Sequence, residues 1–222
     1  MMIALPNDNS GRKAVVDQIG VVKMIGPDKN VHETPFLDVR DRMVHLSPTY
    51  DERGLLSIAF HPNHKNNARV FVYYSAPLQP GAPAGWSCIN RLSEFRVMPQ
   101  NPGWIDMNSE TVLLTVDKPQ SNHNGGPILF GPDDRYLYLA LGDGGGADDT
   151  AAGHTPTTGN AQDLTKLLGK TIRIDVDTPQ IGGKMYVIPP DNPFVSRDGV
   201  APEIYATGLR NPAYLSFDAT TP

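Results

Sequence analysis

Apolar residues recur along this chain at a period of two far more often than at the helical period. Cys88–Val97 and Thr171–Asp177 alternate in a way that predicts strands with one buried face. Leu55–Phe60 and Arg69–Ser75 are apolar runs rich in β-branched and aromatic residues, which suit a pleated, half-buried surface. Ala14–Pro27 reads as two short strands about a tight turn at Gly20, and Phe36–Val39, Thr111–Val116, Tyr186–Ile188 and Glu203–Ala206 as further strands. Between them lie a Pro/Gly loop over residues 77–85, a long polar surface loop over 147–162 and the triple-proline stretch Pro189–Phe194, which forbids regular ladder pairing. Asp163–Lys170 has room for a single helical turn.

The pattern repeats. Ile58-Ala59-Phe60-His61-Pro62 followed by Val70–Tyr74 matches Ile128-Leu129-Phe130-Gly131-Pro132 followed by Tyr136–Leu139, and Tyr214–Asp218 starts it a third time. Phe60, Phe130 and Phe217 fall 70 and 87 residues apart, room for about four short strands plus loops in each interval. Such spacing predicts four-stranded antiparallel blades repeated radially and standing side by side; a β-sandwich with coincidental Phe-x-Pro turns is the alternative. The expected units are an incomplete blade at about 13–45, blades at about 53–117 and 122–207, and the start of another at 210–222.

Composition fits an all-β chain. Gly and Pro number 21 each, so about a fifth of the 222 residues favour turns. The net charge of −5 and the lack of a Lys/Arg run argue against a nucleic-acid partner, and no apolar run is long enough to enter a membrane as a helix. The single cysteine, Cys88, excludes an internal disulfide framework and is expected as a small buried hydrophobe; Trp86 and Trp104 are expected to cover the core. Met1–Pro6 lacks the basic and long apolar segments of a signal peptide.

Candidate chemistry gathers on one hairpin. Asn122-His123-Asn124-Gly125-Gly126 leads into Ile128–Phe130, and Tyr136–Leu141 runs out into Gly142-Asp143-Gly144-Gly145-Gly146. Antiparallel strands joined by a short turn bring both ends to one edge of a sheet, so His123 and Asp143 are expected together. His61, His64 and His154 have no close ligand spacing and read as surface residues. Asp148 and Asp149 lack the alternating oxygen-ligand spacing of a calcium loop, so no metal site is assigned.

Several segments together resemble the soluble quinoprotein glucose/sorbosone dehydrogenase family. They are Glu52–Pro62, the hairpin from Asn122 to Gly145, Leu168–Asp177, Ile188–Phe194 and Gly208-Leu209-Arg210-Asn211-Pro212, in the family's order. The resemblance implies about three blades of a six-bladed β-propeller and PQQ-dependent oxidation of aldose sugars at the C1 hydroxyl, typically periplasmic or secreted in the full-length parent. His123 matches the general base and cofactor neighbour, Asp143 the carboxylate that orients it, and Arg210 and Asn211 the groups that contact the quinone. Asn122 and Glu52 match positions near the substrate. Glu52 stands where the bacterial glucose enzymes usually carry Gln, and Pro127 where the family usually has a polar residue. The implied partners are a sugar and an electron acceptor. Calcium ligands are expected in a missing C-terminal part, so the chain by itself is expected to be inactive, with exposed edges that pair with the missing blades or with another copy. The second functional class is a non-catalytic binding propeller of the hedgehog-interacting-protein-like type; His123 together with Arg210 favours the enzyme.

Overall fold

The computed structural model describes residues 2–178 and 184–218. The end of the expected last blade, 219–222, lies outside the described residues. Among the described residues, twelve strands form three four-stranded antiparallel sheets. The first holds β1 (Met2–Ala4), β2 (Lys13–Asp17), β3 (Val21–Ile25) and β4 (Leu37–Asp38). The second holds β5 (Leu55–Phe60), β6 (Arg69–Ala76), β7 (Cys88–Met98) and β8 (Asn101–Lys118), and the third β9 (Ile128–Phe130), β10 (Leu137–Ala140), β11 (Lys170–Ile174) and β12 (Ile204–Thr207). Each sheet follows chain order from inner to outer strand, the meander of a propeller blade.

The blades meet through their faces, which corrects the expectation of sheets standing side by side. On β6, Val70, Val72 and Tyr74 pack against the first sheet, and Phe71 and Tyr73 against the third. Six consecutive residues, Val70–Ser75, are 0–1% exposed, because each face of this strand serves a different neighbour. On β5 a bulge between Leu55 and Ser57 changes the parity, so Leu55, Ile58 and Phe60 all reach the first core while Leu56 and Ala59 reach the second. The innermost strands β1, β5 and β9 are tied by Ser57, whose Oγ lies 3.2 Å from Met2 Sδ and accepts from Ile128 N at 3.2 Å.

Several local expectations change. Met2–Ala4 pairs with Ala14–Val16 and brings the first sheet to four strands. β8 begins at Asn101, well before Thr111, and follows β7 through three irregularities. A short helix sits at Gly159–Gln162 rather than over 163–170. The 147–162 loop is packed rather than wholly superficial: Asn160 is fully buried, and His154 and Ala161 are nearly so. His61 and His64 are buried too, against their reading as surface residues. His61 Nε2 is 2.9 Å from Asp177, and its Nδ1 accepts from Asn63 N and Asn67 Nδ2. Burial pushes both His61 and His64 below the ordinary histidine value. Cys88 is buried as expected, whereas Trp104 is 42% exposed and does not cover the core. No residue of 208–218, all described, pairs in a sheet.

Candidate active site

The hairpin does what its pairing dictates. Leu137, Tyr138 and Leu139 face Phe130, Leu129 and Ile128, and Gly126 N donates to Ala140 O at 2.8 Å. Beyond the ladder the two polar ends stay together: His123 Nδ1 is 2.8 Å from Asp143 Oδ1, with both residues buried. Asp143 Oδ1 also accepts from Gly145 N at 3.0 Å. Because Nδ1 faces a carboxylate, it carries the proton, and Nε2 is left as the basic edge of the ring. Nε2 has no hydrogen-bond partner among the described residues.

Backbone geometry is set to allow this meeting. His123 adopts a left-handed conformation, φ +52°, which costs a residue with a Cβ about 1–2 kcal/mol and persists only where surrounding bonds hold it. Gly142 is the crossing point of three segments: a Cβ there would lie 2.1 Å from His123 O and 3.1 Å from Arg210 O. Asp143 N donates to that same Arg210 O at 2.8 Å, which brings the Gly208–Pro212 stretch against the base.

Glu52 joins the same cluster. Its Oε2 accepts from His123 N at 2.6 Å and from Asn211 Nδ2 at 3.0 Å, while Oε1 accepts from the Tyr50 hydroxyl. Burial works to raise its pKa, but the bonds from Tyr50, the His123 amide and Asn211 outweigh it and hold the carboxyl below the ordinary glutamate value. Asn211 Oδ1 accepts from Gly125 N at 3.1 Å. Asn122 Oδ1 accepts from Gly146 N at 3.2 Å. Glu52, Asn211 and Asn122 thus all stitch the site together. Arg210 has an exposed side chain with no ion pair or hydrogen bond among the described residues.

The sequence-predicted residues therefore come together through bonds among His123, Asp143, Glu52, Asn211 and the Arg210 backbone. A cavity of about 410 Å³ beside the innermost strands is lined by Glu52, Asn124, Gly125 and Asn211, but not by His123, Asp143 or Arg210. Three participants were missed. Asn124 Oδ1 is buried without a partner; Asn160 Nδ2 donates to Asp143 O at 2.8 Å; and Lys118 Nζ lies beneath the His123 loop. Asn124 stands in the His123 motif and was open to notice. The other two come from the end of β8 and the packed loop, with no local pattern to mark them.

A quinone cofactor carries negative charge and many oxygens. An exposed guanidinium on a segment whose backbone is bonded to Asp143, together with an imidazole that keeps an open nitrogen, fits such a group. Among the described residues no three or more His, Cys, Asp or Glu side chains converge, so they offer no acidic cluster for calcium, and no step is assigned to it.

The family model described as Glucose / Sorbosone dehydrogenase matches residues 3–222. The human Hedgehog-interacting protein is 34% identical over 211 residues, 95% of this chain and 29% of its own length. Quinoprotein glucose dehydrogenase B of Acinetobacter calcoaceticus is 30% identical over 174 residues, 75% of this chain and 34% of its own. Among solved structures, the PQQ-bound aldose sugar dehydrogenase of Streptomyces coelicolor superposes with a TM-score of 0.64 at 25% identity, covering 94% of this chain and 50% of that one. The chain thus spans about a third or less of these two relatives and half of the solved structure.

Proposed function

The chain belongs to the glucose/sorbosone dehydrogenase family, and from that premise we propose that it carries the base-bearing half of a PQQ-dependent enzyme that oxidises aldose sugars at C1. The observation that carries this reading is the buried His123–Asp143 pair, with Nδ1 bonded to the carboxylate and Nε2 unpartnered. His123 Nε2 takes the proton of the C1 hydroxyl. Asp143 fixes the ring's tautomer and stabilises the imidazolium that results. Arg210 offers a fixed positive charge and a planar fork of donors to the cofactor's oxygens, and Asn211, with one N–H spent on Glu52, has a second to give. When bound, PQQ supplies the two-electron acceptor for the hydride leaving C1. Asn122 borders the base and lies within reach of substrate. Glu52 acts here mainly through the His123 amide, since both of its oxygens are engaged.

The test is steady-state dye reduction by the full-length protein loaded with PQQ and calcium, across a panel of aldoses. Changing His123 to Asn should lower kcat about a hundredfold or more, the usual worth of a placed acid-base group. An H123N protein as fast as the wild type would refute the assignment. The 34% identity with Hedgehog-interacting protein over nearly the whole chain favours a second reading, a binding propeller. A folded, PQQ-loaded wild type that oxidises no aldose would select it.

A further inference from the structure

Lys118 ends β8 with its residue fully buried, a costly place for an ammonium unless its charge is used. Nζ donates to His123 O at 2.6 Å and to Asn122 O at 3.1 Å. These are the carbonyls of the base itself and of the residue before it, at the one turn in the site where a side-chain-bearing residue is held left-handed. The carboxylates of Asp143 and Glu52 act on the ammonium by their charge, and the Cys88 thiol opposite it on β7, which burial holds protonated, joins them only when it ionises. A methionine would fill the same space without the desolvation cost, so packing alone does not account for a lysine here.

We propose that Lys118 is a positioning residue for the base: its ammonium clamps the carbonyls of Asn122 and His123, holds the left-handed turn, and so keeps the His123 imidazole on Asp143. This rests on the reading of His123 as the base, yet the clamp itself can be observed without catalysis. The clamp is reciprocal with Glu52, which holds the same peptide chain from the other side through His123 N. One residue is thereby gripped at its amide by an anion and at its carbonyl by a cation, both charge-assisted bonds of the stronger kind.

The experiment is NMR on the isotope-labelled protein without cofactor, comparing wild type with Lys118→Met. The wild type should show a slowly exchanging, low-field His123 Nδ1–H coupled to the ring nitrogen, and K118M should lose or broaden it and displace the His123 amide signal. In the PQQ-loaded full-length protein the same change should lower kcat about tenfold with KM within twofold. A folded K118M that keeps the wild-type Nδ1–H and amide signals overturns the proposal. Should K118M not fold, wild type titrated from pH 7 to 10 gives the answer. Burial lowers Lys118 to about 8, so its proton is lost inside this range. The His123 amide signal should move with the Lys118 Nζ signal, and an amide that stays put while Nζ titrates refutes the clamp. A wild type with an intact Nδ1–H signal but no sugar oxidation would sink the catalytic reading and leave the clamp standing.

Discussion

Replacing Asp143 by Asn and by Ala separates the charge of the carboxylate from its shape. In the wild type one oxygen, Oδ1, accepts from both His123 Nδ1 at 2.8 Å and Gly145 N at 3.0 Å, and Oδ2 has no partner among the described residues. An asparagine can keep its carbonyl in the Oδ1 position and put its amide where Oδ2 was, so D143N retains both bonds and loses only the negative charge. Hydrogen bonds to charged acceptors are worth about 1 kcal/mol more than neutral ones, which sets the cost of D143N at roughly 1–2 kcal/mol. D143A leaves two buried donors with no acceptor, each costing about 1–3 kcal/mol, so it should lose roughly 2–6 kcal/mol. Urea unfolding with a common m-value reads both numbers. Under the catalytic reading D143N should also slow the loaded enzyme by about tenfold to a hundredfold, because the imidazolium has lost its counter-charge. Equal destabilisation by Asn and Ala would refute the two-bonds-on-one-oxygen geometry. A D143N enzyme of wild-type speed would refute the role given to the charge.

Glu52→Gln keeps acceptors for the His123 amide and Asn211 and should cost about 1 kcal/mol, whereas Glu52→Ala should cost about 2–3 kcal/mol by unfolding midpoint; a smaller loss for Ala than for Gln would show that Glu52 does not tie the site. Gly142→Ala should fail to yield folded protein by circular dichroism or lose several kcal/mol, because the added carbon would lie 2.1 Å from a carbonyl oxygen. Lys118 and Lys170 are both buried and lowered to about 8 by desolvation. Between about pH 8 and the ordinary lysine value the unfolded chain holds protons the folded chain has released, so stability rises with pH there. The rise is opposed above about pH 10 by buried tyrosines such as Tyr74, pushed up to about 12 by burial. Urea midpoints should therefore climb from pH 7.5 to 9.5 and climb less in K118M; a flat wild-type profile would contradict the lowered lysines.

The sequence disclosed whatever rests on local pattern. Alternation and the Phe-x-Pro repeat located the inner strands of two blades, and the short antiparallel hairpin was enough to place His123 beside Asp143. What it hid depends on distant partners. His61 looked superficial because the Asp177 that justifies its burial is 116 residues away. Lys118 looked like the end of a strand, since the carbonyls it holds belong to a turn that closes over it only after folding. The strand at Met2–Ala4 is three residues long, too short to show a period, and exists because β2 offers it a ladder. Sheet contact through faces escaped the reading because Val70–Ser75 is apolar at nearly every position, a pattern that states burial on both sides without naming the neighbours.

The doubly buried β6 acts as a check on its own alignment. Residues of even number, Val70 to Tyr74, belong to one interface, and Phe71 and Tyr73 to the other. A slip of one residue in an ordinary half-exposed strand turns its apolar set towards water and leaves the other face indifferent. Here the same slip would exchange two valines and a tyrosine for a phenylalanine and a tyrosine in both cores at once, overfilling one and hollowing the other. Misaligned pairings of the middle blade are thus penalised twice, and the blades on either side, including the one that carries His123, inherit a single register from this strand.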